Sequence, residues 1–484
     1  MNKSIRYGAV VSLLLITALL VNFTIIQTMR EDEYAQDPRN SRTVMELKQI
    51  NRGNIKAGDL TLAESFKNEQ TGYFQRTYPN MPWSFAPVVG YVSDQYGTAQ
   101  LEAGLNGELT GEGGSSSRFL RTGLEDSKKG DDVELTIDPN LQALAFDQLA
   151  QPGYNGAVVA LRPSTGEVLA MASTPSYDPN EIANPATAGD TWARVNNDPG
   201  RPLLNHATQE QLPPGSIFKI ITTAAGLRNG YTPESPLTGD AQIILPGTDN
   251  IPLTNDGGQP CAGGGQVPLR TAFALSCNTA FVQMGLAMGP DALRDAAARF
   301  GVGERYNLGL PNAAGSLGDL PGGAELAQST IGQRDVTMTA LQAAMMSATI
   351  ANKGKRMEPH VVRQVRNADG KVLHETEPVE LNEAVTEEEA ATITDLMFAS
   401  ERWTFGYDGN GFASKTGTAE HAEGAAPHVW YVAFDPAKDV AVAVVVKNGG
   451  NMGEAAYGGQ VAGPIGRAVL RAAPAAPAPV EGAQ

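Results

Sequence analysis

The sequence predicts an α+β fold in which helices flank an antiparallel sheet, preceded by a small N-terminal module and a membrane-spanning helix. Strand-like apolar runs lie at both ends of the region that starts near residue 130, and helix-like runs lie between them. Terminal strands that meet in one sheet, with the intervening helices packed against it, satisfy this order. An uncharged apolar stretch close to the first residue predicts the spanning helix.

Length and composition narrow the class of protein. The 484 residues suffice for about two to four domains of ~150 residues each. The formal net charge is −17 and no block of basic residues occurs, which argues against a nucleic-acid partner. The five histidines show no metal-site spacing, and two cysteines cannot form a four-cysteine zinc centre.

The N-terminal stretch from Tyr7 to Met29 is uncharged and follows Lys3 and Arg6. About 20 apolar residues span a bilayer, and basic residues before the span favour a cytoplasmic N-terminus. No small-x-small cleavage site clearly follows the apolar run, so we prefer an uncleaved anchor, with a cleaved signal peptide as the alternative. Under both interpretations the remaining chain lies outside the cytoplasmic membrane.

Composition changes predict the organisation of the chain. We expect a cytoplasmic tail (1–6), a transmembrane anchor (7–29), a non-catalytic module (30–129), a catalytic domain (130–472) and a disordered tail (473–484). In the module, the apolar runs 60–63 and 88–92 predict paired strands, 101–109 predicts a short helix, and 111–117 is a flexible loop by composition. In the catalytic domain the patterns predict strands at 132–137, 156–161, 168–172, 412–416, 429–434 and 440–446, and helices at 139–149, 217–228, 269–288, 290–300, 337–353, 386–399 and 459–472.

The chain is organised around Ser216 and Lys219, which follow Pro213, Pro214 and Gly215 at the start of a predicted helix. Residues three apart share one helix face, so the lysine amine can reach the serine hydroxyl within hydrogen-bonding distance. If burial or a nearby cation lowers the pKa of the lysine, its amine can accept the serine proton. The helix N-terminus adds positive potential that favours a developing oxyanion.

Two further motifs follow. Ser276-Cys277-Asn278 lies on a helix or a helix-connecting loop, where a hydroxyl and an amide can relay a proton and orient a substrate amide. Lys415-Thr416-Gly417-Thr418 lies on a predicted edge strand, which can pair with an extended peptide. The Lys415 cation would depress the pKa of Lys219 and attract a carboxylate. Each motif alone is also explained by helix capping or by a solvated strand end.

The two cysteines, Cys261 and Cys277, lie close in sequence. Outside the cytoplasm such a pair can form a disulfide, and closing a loop of this order contributes roughly 3 kcal/mol. The alternative is a pair of buried thiols that pack as small apolar residues. We favour the disulfide, which would hold the turn that carries Ser276 and Asn278.

Ser-x-x-Lys, Ser-x-Asn and Lys-Thr-Gly together resemble the active-site set of penicillin-binding proteins and serine β-lactamases. Arg52-Gly53-Asn54-Ile55 and 91–105 look like the N-terminal module of monofunctional, class B penicillin-binding proteins, most like the actinobacterial penicillin-binding protein A group. Ser329-Thr330-Ile331-Gly332-Gln333, together with 156–179 and 430–434, looks like the transpeptidase domain of that class.

The resemblance implies a peptidoglycan D,D-transpeptidase with a serine transpeptidase/β-lactamase-like domain. Ser216 would be the nucleophile, Lys219 the general base, and Ser276 with Lys415 the proton relay to the leaving amine. Asn278 would bind the substrate amide, and Thr416, Gly417 and Thr418 would bind the terminal carboxylate and approach the peptide closely. The backbone N–H groups of Ser216 and Thr418 would form the oxyanion hole.

The resemblance also implies partners and rivals. Stem peptides of peptidoglycan and β-lactam antibiotics would bind, no metal or organic cofactor is implied, and a polytopic membrane glycosyltransferase would supply polymerisation. A D,D-carboxypeptidase or a β-lactamase would share the acylation machinery. A β-lactam sensor or a scaffold of the division or elongation machinery is the non-enzyme alternative, against which the complete set of motif side chains argues.

Overall fold

The computed structural model describes residues 3–29, 48–111, 129–420 and 424–476. The flexible loop predicted at 111–117 lies outside the described residues except for Gly111, as does the predicted tail after residue 476. The described helices are α1 (Lys3–Met29), α2 (Pro82–Val89), α3 (Gln100–Gly104), α4 (Asn106–Leu109), α5 (Pro139–Ala150), α6 (Pro179–Ala183), α7 (Ala188–Asn196), α8 (Lys219–Arg228), α9 (Leu269–Ala274), α10 (Asn278–Met288), α11 (Pro290–Arg299), α12 (Gly323–Ser329), α13 (Ala340–Ala351), α14 (Glu387–Trp403) and α15 (Gly458–Ala472).

The described strands form two larger sheets and several two-stranded pairs. They are β1 (Ile55–Ala57), β2 (Leu60–Lys67), β3 (Phe74–Thr77), β4 (Val92–Ser93), β5 (Gly97–Thr98), β6 (Asp132–Leu135), β7 (Gly156–Leu161), β8 (Val168–Thr174), β9 (Pro236–Thr238), β10 (Gln242–Ile244), β11 (Pro252–Thr254), β12 (Gln266–Pro268), β13 (Lys355–Met357), β14 (Val362–Arg366), β15 (Val372–Glu375), β16 (Glu380–Glu383), β17 (Ala413–Ala419), β18 (His428–Asp435) and β19 (Val440–Val446). The α+β class predicted from the sequence is confirmed.

The catalytic sheet is antiparallel and has the order β17-β18-β19-β7-β8. Strand β19 pairs with β7 from Ala441 opposite Leu161 to Val446 opposite Gly156, so an early and a late strand of the region meet in one sheet as predicted. The first strand predicted for this region, 132–137, is not part of it, because β6 lies in the second large sheet. Strand β17 lies at the edge of this sheet, which confirms the predicted edge strand.

Both faces of this sheet are covered, which explains why β19 consists entirely of valine and alanine. Val442, Val444 and Val446 face a core that includes residues of α5 and α15, whereas Ala443 and Val445 face the core that contains α13. Each fully buried valine stabilises the fold by about 1.5–3 kcal/mol relative to an exposed one. An apolar strand of this kind fits only the centre of a covered sheet.

The second large sheet joins the N-terminal module to strands from later in the chain. Its order is β15-β14-β6-β1-β2-β3, with β1 parallel to β6 and β14 antiparallel to β6. The strand predicted at 60–63 is confirmed within β2. The strand predicted at 88–92 is wrong except at its last residue. Val88 and Val89 end helix α2, and Val92 starts β4, which pairs with β5 and not with β2. Pro82 lies in the first turn of α2, where its fixed φ suits a helix and its missing N–H costs nothing.

A buried ion network holds the module together. Glu102 is fully buried and accepts hydrogen bonds from Arg52 Nε at 3.0 Å and Arg76 Nε at 2.6 Å. Arg76 also donates to the backbone oxygen of Gly53 at 2.8 Å. Because removal of one partner would leave an uncompensated buried charge, this network fixes how 52–55 packs against α3.

Helix α1 is long and apolar enough to cross a membrane. Its apolar span runs from Ile5 to Ile25 with a mean hydropathy of 2.3, and none of that span is buried against the rest of the protein. The helix is therefore suited to single-pass membrane anchoring, in agreement with the predicted anchor.

Candidate active site

Ser216 lies in a single 3₁₀ turn, Gly215–Phe218, immediately before α8. Gly215 has a φ of +54°, and a Cβ on this residue would lie 2.8 Å from the carbonyl oxygen of Thr418. Its N–H donates to the carbonyl oxygen of Gly332 at 2.9 Å. Only glycine fits between the serine turn and strand β17, so Gly215 lets the turn that carries Ser216 pack directly against this strand.

Lys219 is the first residue of α8 and is fully buried. Its Nζ donates to the backbone oxygen of Ser276 at 2.7 Å, to Asn278 Oδ1 at 2.7 Å and to Ser276 Oγ at 3.2 Å. Among the hydrogen bonds of the described residues, none joins Lys219 to Ser216, although the spacing predicts that contact. The amine is therefore oriented by the second motif, and a contact with Ser216 would have to form when substrate binds.

Ser276 lies in the turn between α9 and α10, in a left-handed conformation with a φ of +61°. Its N–H donates to Phe273 O at 3.1 Å, and the N–H of Cys277 donates to Ala272 O at 2.9 Å. The continuous helix predicted at 269–288 is thus wrong at this turn, and the connecting-loop alternative is confirmed. Breaking the helix here lets the serine hydroxyl face both lysines.

Lys415 on β17 is 1 % exposed, and its Nζ donates to Ser276 Oγ at 2.9 Å and to its neighbour's carbonyl, Thr416 O, at 3.0 Å. Asn278 starts α10, and its Nδ2 donates to Thr254 O at 3.0 Å. The three motifs, separate in sequence, thus form one hydrogen-bonded chain in which Ser276 Oγ connects the two lysines.

Two buried amines beside one hydroxyl are electrostatically unfavourable as a doubly charged pair. Burial lowers the pKa of Lys415 to about 7. The pKa of Lys219 is held well below its ordinary value, first by burial and then by the neighbouring Lys415 charge, while Asp256 acts in the opposite direction. The rings of Phe281 and Phe273 lie 5.4 Å from Lys219 Nζ and 5.9 Å from Lys415 Nζ, and they exclude water from both amines. An amine that is neutral near physiological pH can take a proton from a hydroxyl.

Cys261 and Cys277 form a disulfide with a Cα–Cα distance of 5.8 Å. Cys261 is buried, and its N–H donates to Gly239 O at 2.8 Å. The bond thereby ties the turn that carries Ser276 and Asn278 to the segment that follows β11.

Residues of all three motifs line a cleft of about 990 Å³. Ser216, Ser276 and Asn278 line its base, and Thr416 and Thr418 line the side formed by β17. The segment 251–258, which contains β11 and Asp256, lines the cleft as well. The site is thus an open groove along an edge strand, a shape that admits an extended peptide.

Glu401 is a buried carboxylate behind β17 that the sequence did not predict as part of the site. Glu401, at the end of α14, accepts hydrogen bonds from Arg467 Nε at 2.7 Å, Tyr431 OH at 3.1 Å and Asn410 Nδ2 at 3.0 Å, and from the hydroxyl of Ser414. Ser414 directly precedes Lys415, so the network supports the strand that carries the third motif. The pattern of α14 gives no sign of this network, because its partners lie on separate elements.

This fold and this arrangement of serine and lysine side chains define a class. Residues 156–471 match the penicillin binding protein transpeptidase domain, and residues 52–133 match the penicillin binding protein A dimerisation domain. The chain belongs to the penicillin-binding protein transpeptidase family.

Individual relatives narrow this class. The chain is 43% identical to "Peptidoglycan D,D-transpeptidase PbpA" of Mycolicibacterium smegmatis, with 98% of this chain and 99% of that protein covered. It is 42% identical to the protein of the same name from Mycobacterium tuberculosis, with the same coverage. The predicted resemblance to class B proteins of the penicillin-binding protein A group is confirmed.

Solved structures agree with this assignment. Penicillin-binding protein A from M. tuberculosis, described as a ceftriaxone acyl-enzyme complex, matches with a TM-score of 0.83 and 41% identity over 89% of this chain and 99% of that one. The penicillin G acyl-enzyme complex of the same protein matches with a TM-score of 0.81 and 42% identity over 87% of this chain and 99% of that one.

Proposed function

We propose that this protein is a peptidoglycan D,D-transpeptidase that cross-links stem peptides through a serine acyl-enzyme and is acylated by β-lactams. The observation that carries the proposal is the chain of hydrogen bonds from Lys219 through Ser276 Oγ to Lys415 at the base of the same cleft as Ser216. The curated relatives named as D,D-transpeptidases and the acyl-enzyme structures of a homologue support it.

In the acylation step, neutral Lys219 takes the hydroxyl proton of Ser216, and the serine oxygen attacks the carbonyl between the two terminal D-alanines. A neutral amine has two N–H groups, which suit the contacts with Ser276 O and Asn278 Oδ1, each 2.7 Å away. Its lone pair then faces the longer contact, Ser276 Oγ at 3.2 Å, and would turn to Ser216 when substrate binds. The tetrahedral intermediate then expels D-alanine, whose nitrogen receives a proton from Ser276, and Lys415 restores the Ser276 proton.

The oxyanion would be held by the backbone N–H groups of Ser216 and Thr418. The carbonyl oxygen of Thr418 faces Gly215, and in a strand the N–H and C=O of one residue point to the same side. The N–H of Thr418 therefore faces the serine turn at the free edge of β17, where a developing negative charge would lie.

Substrate binding follows from the same edge. The terminal carboxylate would be bound by the hydroxyls of Thr416 and Thr418, and Gly417 lets the peptide backbone approach the strand. Asn278, which lines the cleft between Lys219 and Thr254, would bind the substrate amide. In the second half-reaction the amine of a neighbouring stem peptide attacks the acyl-enzyme and passes its proton through Ser276 to Lys415, and Ser216 leaves with the proton that Lys219 holds.

The anchor and the N-terminal module set the place of this reaction. With Lys3 and Arg6 on the cytoplasmic side, α1 would hold the catalytic domain outside the cytoplasmic membrane, where the cross-linked wall lies. A polytopic membrane glycosyltransferase that contacts α1 and the module would supply the glycan strands.

Labelling with a fluorescent penicillin, followed by a chase with unlabelled drug, tests this proposal. Wild type should acquire a label that persists for many minutes, and Ser216→Ala should acquire none. A label that disappears within seconds would instead indicate a β-lactamase. No label on either protein would refute the assignment of Ser216 as nucleophile.

A further inference from the structure

Three large aromatic side chains form an exposed rim beside the catalytic groove. Trp403 is 71 % exposed, Phe405 65 % and Tyr457 47 %, and all three line the cleft. We call these residues the aromatic rim. The proposed chemistry at Ser216 makes no use of them, and exposed aromatic surface that is continuous with a substrate cleft is typical of a binding site.

The aromatic rim is held in place by buried contacts. Arg467, paired with Glu401, donates from Nη1 to the carbonyl oxygen of Phe405 at 2.9 Å, and the N–H of Thr404 donates to Glu401 O at 3.0 Å. A Cβ on Gly459 would lie 3.3 Å from Phe405 N, so the start of α15 packs closely against this segment. Because the backbone of this segment is already fixed, a ligand would have to order only the side chains and not the segment that carries them.

The aromatic rim is also packed directly against strand β17. Gly458 follows Tyr457 directly, and a Cβ on Gly458 would lie 2.7 Å from the carbonyl oxygen of Gly417. The same Glu401 carboxylate that supports Phe405 through Arg467 accepts the hydroxyl of Ser414, next to Lys415. A peptide bound along β17 therefore presents whatever is attached to it to a surface of fixed position.

We propose that the aromatic rim binds the glycan strand of the substrate, with its rings stacked on the faces of the sugar rings. This inference rests on the proposed function, because peptidoglycan consists of stem peptides attached to amino-sugar polymers. The faces of a pyranose ring present C–H groups, which are attracted to the negative face of an aromatic ring. The aromatic rim offers open aromatic surface rather than an enclosed pocket, and open surface suits flat, uncharged rings better than peptide side chains.

Two matched substrates test the inference. The full chain in detergent is given a D-Ala-D-Ala stem peptide, either free or attached to the disaccharide of peptidoglycan, and D-alanine release is measured. For Trp403→Ala combined with Phe405→Ala, the loss of kcat/KM on the sugar-linked substrate should exceed that on the free peptide by about tenfold or more, mainly through KM. The single variant Trp403→Phe, which keeps a ring at this position, should retain most of the kcat/KM on the sugar-linked substrate. Trp83 on α2 is 44 % exposed, and Trp83→Ala should affect both substrates equally.

The possible results separate the two proposals. Equal losses on both substrates would mean that the rim only supports the catalytic strand, and no loss on either would mean that it binds no sugar; both overturn the inference. A loss seen only in the presence of a membrane glycosyltransferase would identify a protein-docking surface and also overturn it. A peptide-free chitin oligosaccharide, titrated against tryptophan fluorescence, reports sugar binding even if the wild type releases no D-alanine, which would refute the proposed function alone.

Discussion

Replacing Glu401 by alanine should weaken both the stability of the catalytic domain and its acylation. The carboxylate is 1 % exposed, its partner Arg467 is 4 % exposed, and their contact is 2.7 Å long. Removing one member of a buried pair leaves the other charge without compensation, at a cost of about 3–5 kcal/mol. Spread over the 156–471 domain, that loss lowers the melting temperature by roughly 5–8 °C.

The assay is thermal unfolding of the full chain in detergent, paired with the rate of labelling by fluorescent penicillin. Labelling should slow, because Ser414 loses its acceptor and the backbone around Lys415 relaxes. Asp408→Asn is the matched control, since the Asp408–Arg471 pair lies half exposed on the same side of the domain and should contribute little.

A second variant separates charge from shape. Replacing Glu401 and Arg467 together by methionine removes the stranded charge, so stability should recover in part while the labelling rate stays low. If Glu401→Ala melts close to the wild type and to Asp408→Asn, the assignment of this pair as the support of β17 is refuted.

Three further outcomes are expected. Acylation requires neutral Lys219, so the labelling rate should rise as the pH rises through the Lys219 pKa. Lys415→Met removes the neighbouring charge that lowers this pKa, so the rise should occur at higher pH in that variant. Asp256→Asn should move the rise in labelling rate to lower pH, because Asp256 raises the Lys219 pKa. The measurement is the pH–rate profile of penicillin labelling, and a shift in the same direction for both variants would contradict this account. Reduction of the Cys261–Cys277 disulfide should slow labelling of the wild type, because it releases the turn that carries Ser276. The same reductant should not change the labelling rate of Cys261→Ser, and an unchanged wild-type rate would refute this role of the disulfide. Gly417→Ala should slow labelling by roughly tenfold or more, because its Cβ would lie 2.7 Å from Pro214 O and would displace β17 from the serine turn. Gly411→Ala is the control: its Cβ would meet open space, so its labelling rate should equal that of the wild type.

What the sequence revealed of the site depended on distance along the chain. The spacing of Ser216 and Lys219 predicted a contact between them but was weak evidence by itself, and the hydrogen bonds of the described residues do not include that contact. The contact between Lys219 and Asn278 joins residues 59 apart, and no local pattern encodes it. Knowledge of the family, rather than periodicity, brought the three motifs together.

The errors in the predicted elements have physical causes. Short apolar runs such as 88–92 are compatible with a strand or a buried helix. Val88 and Val89 continue a helix that begins at Pro82, and only Val92 is in a strand. The apolar pattern of 269–288 continues across the break at Ser276, whose left-handed backbone leaves no mark in the composition. By contrast, the meeting of β7 and β19 was predictable, because two strongly apolar strands at the ends of one domain need each other's edges.

The sheet that spans the module and the catalytic domain has a consequence for biosynthesis. One edge of strand β6 stays unpaired until its partner β14, which ends at Arg366, has been synthesised. One edge of β7 stays unpaired until β19, which ends at Val446, has been synthesised. A ribosome delivers the N-terminus first, so both unpaired edges are exposed to wrong pairing while the segments between the paired strands are synthesised. A nascent chain released before Arg366 can close neither sheet. The sheet of the N-terminal module is therefore completed only after most of the catalytic domain has been synthesised.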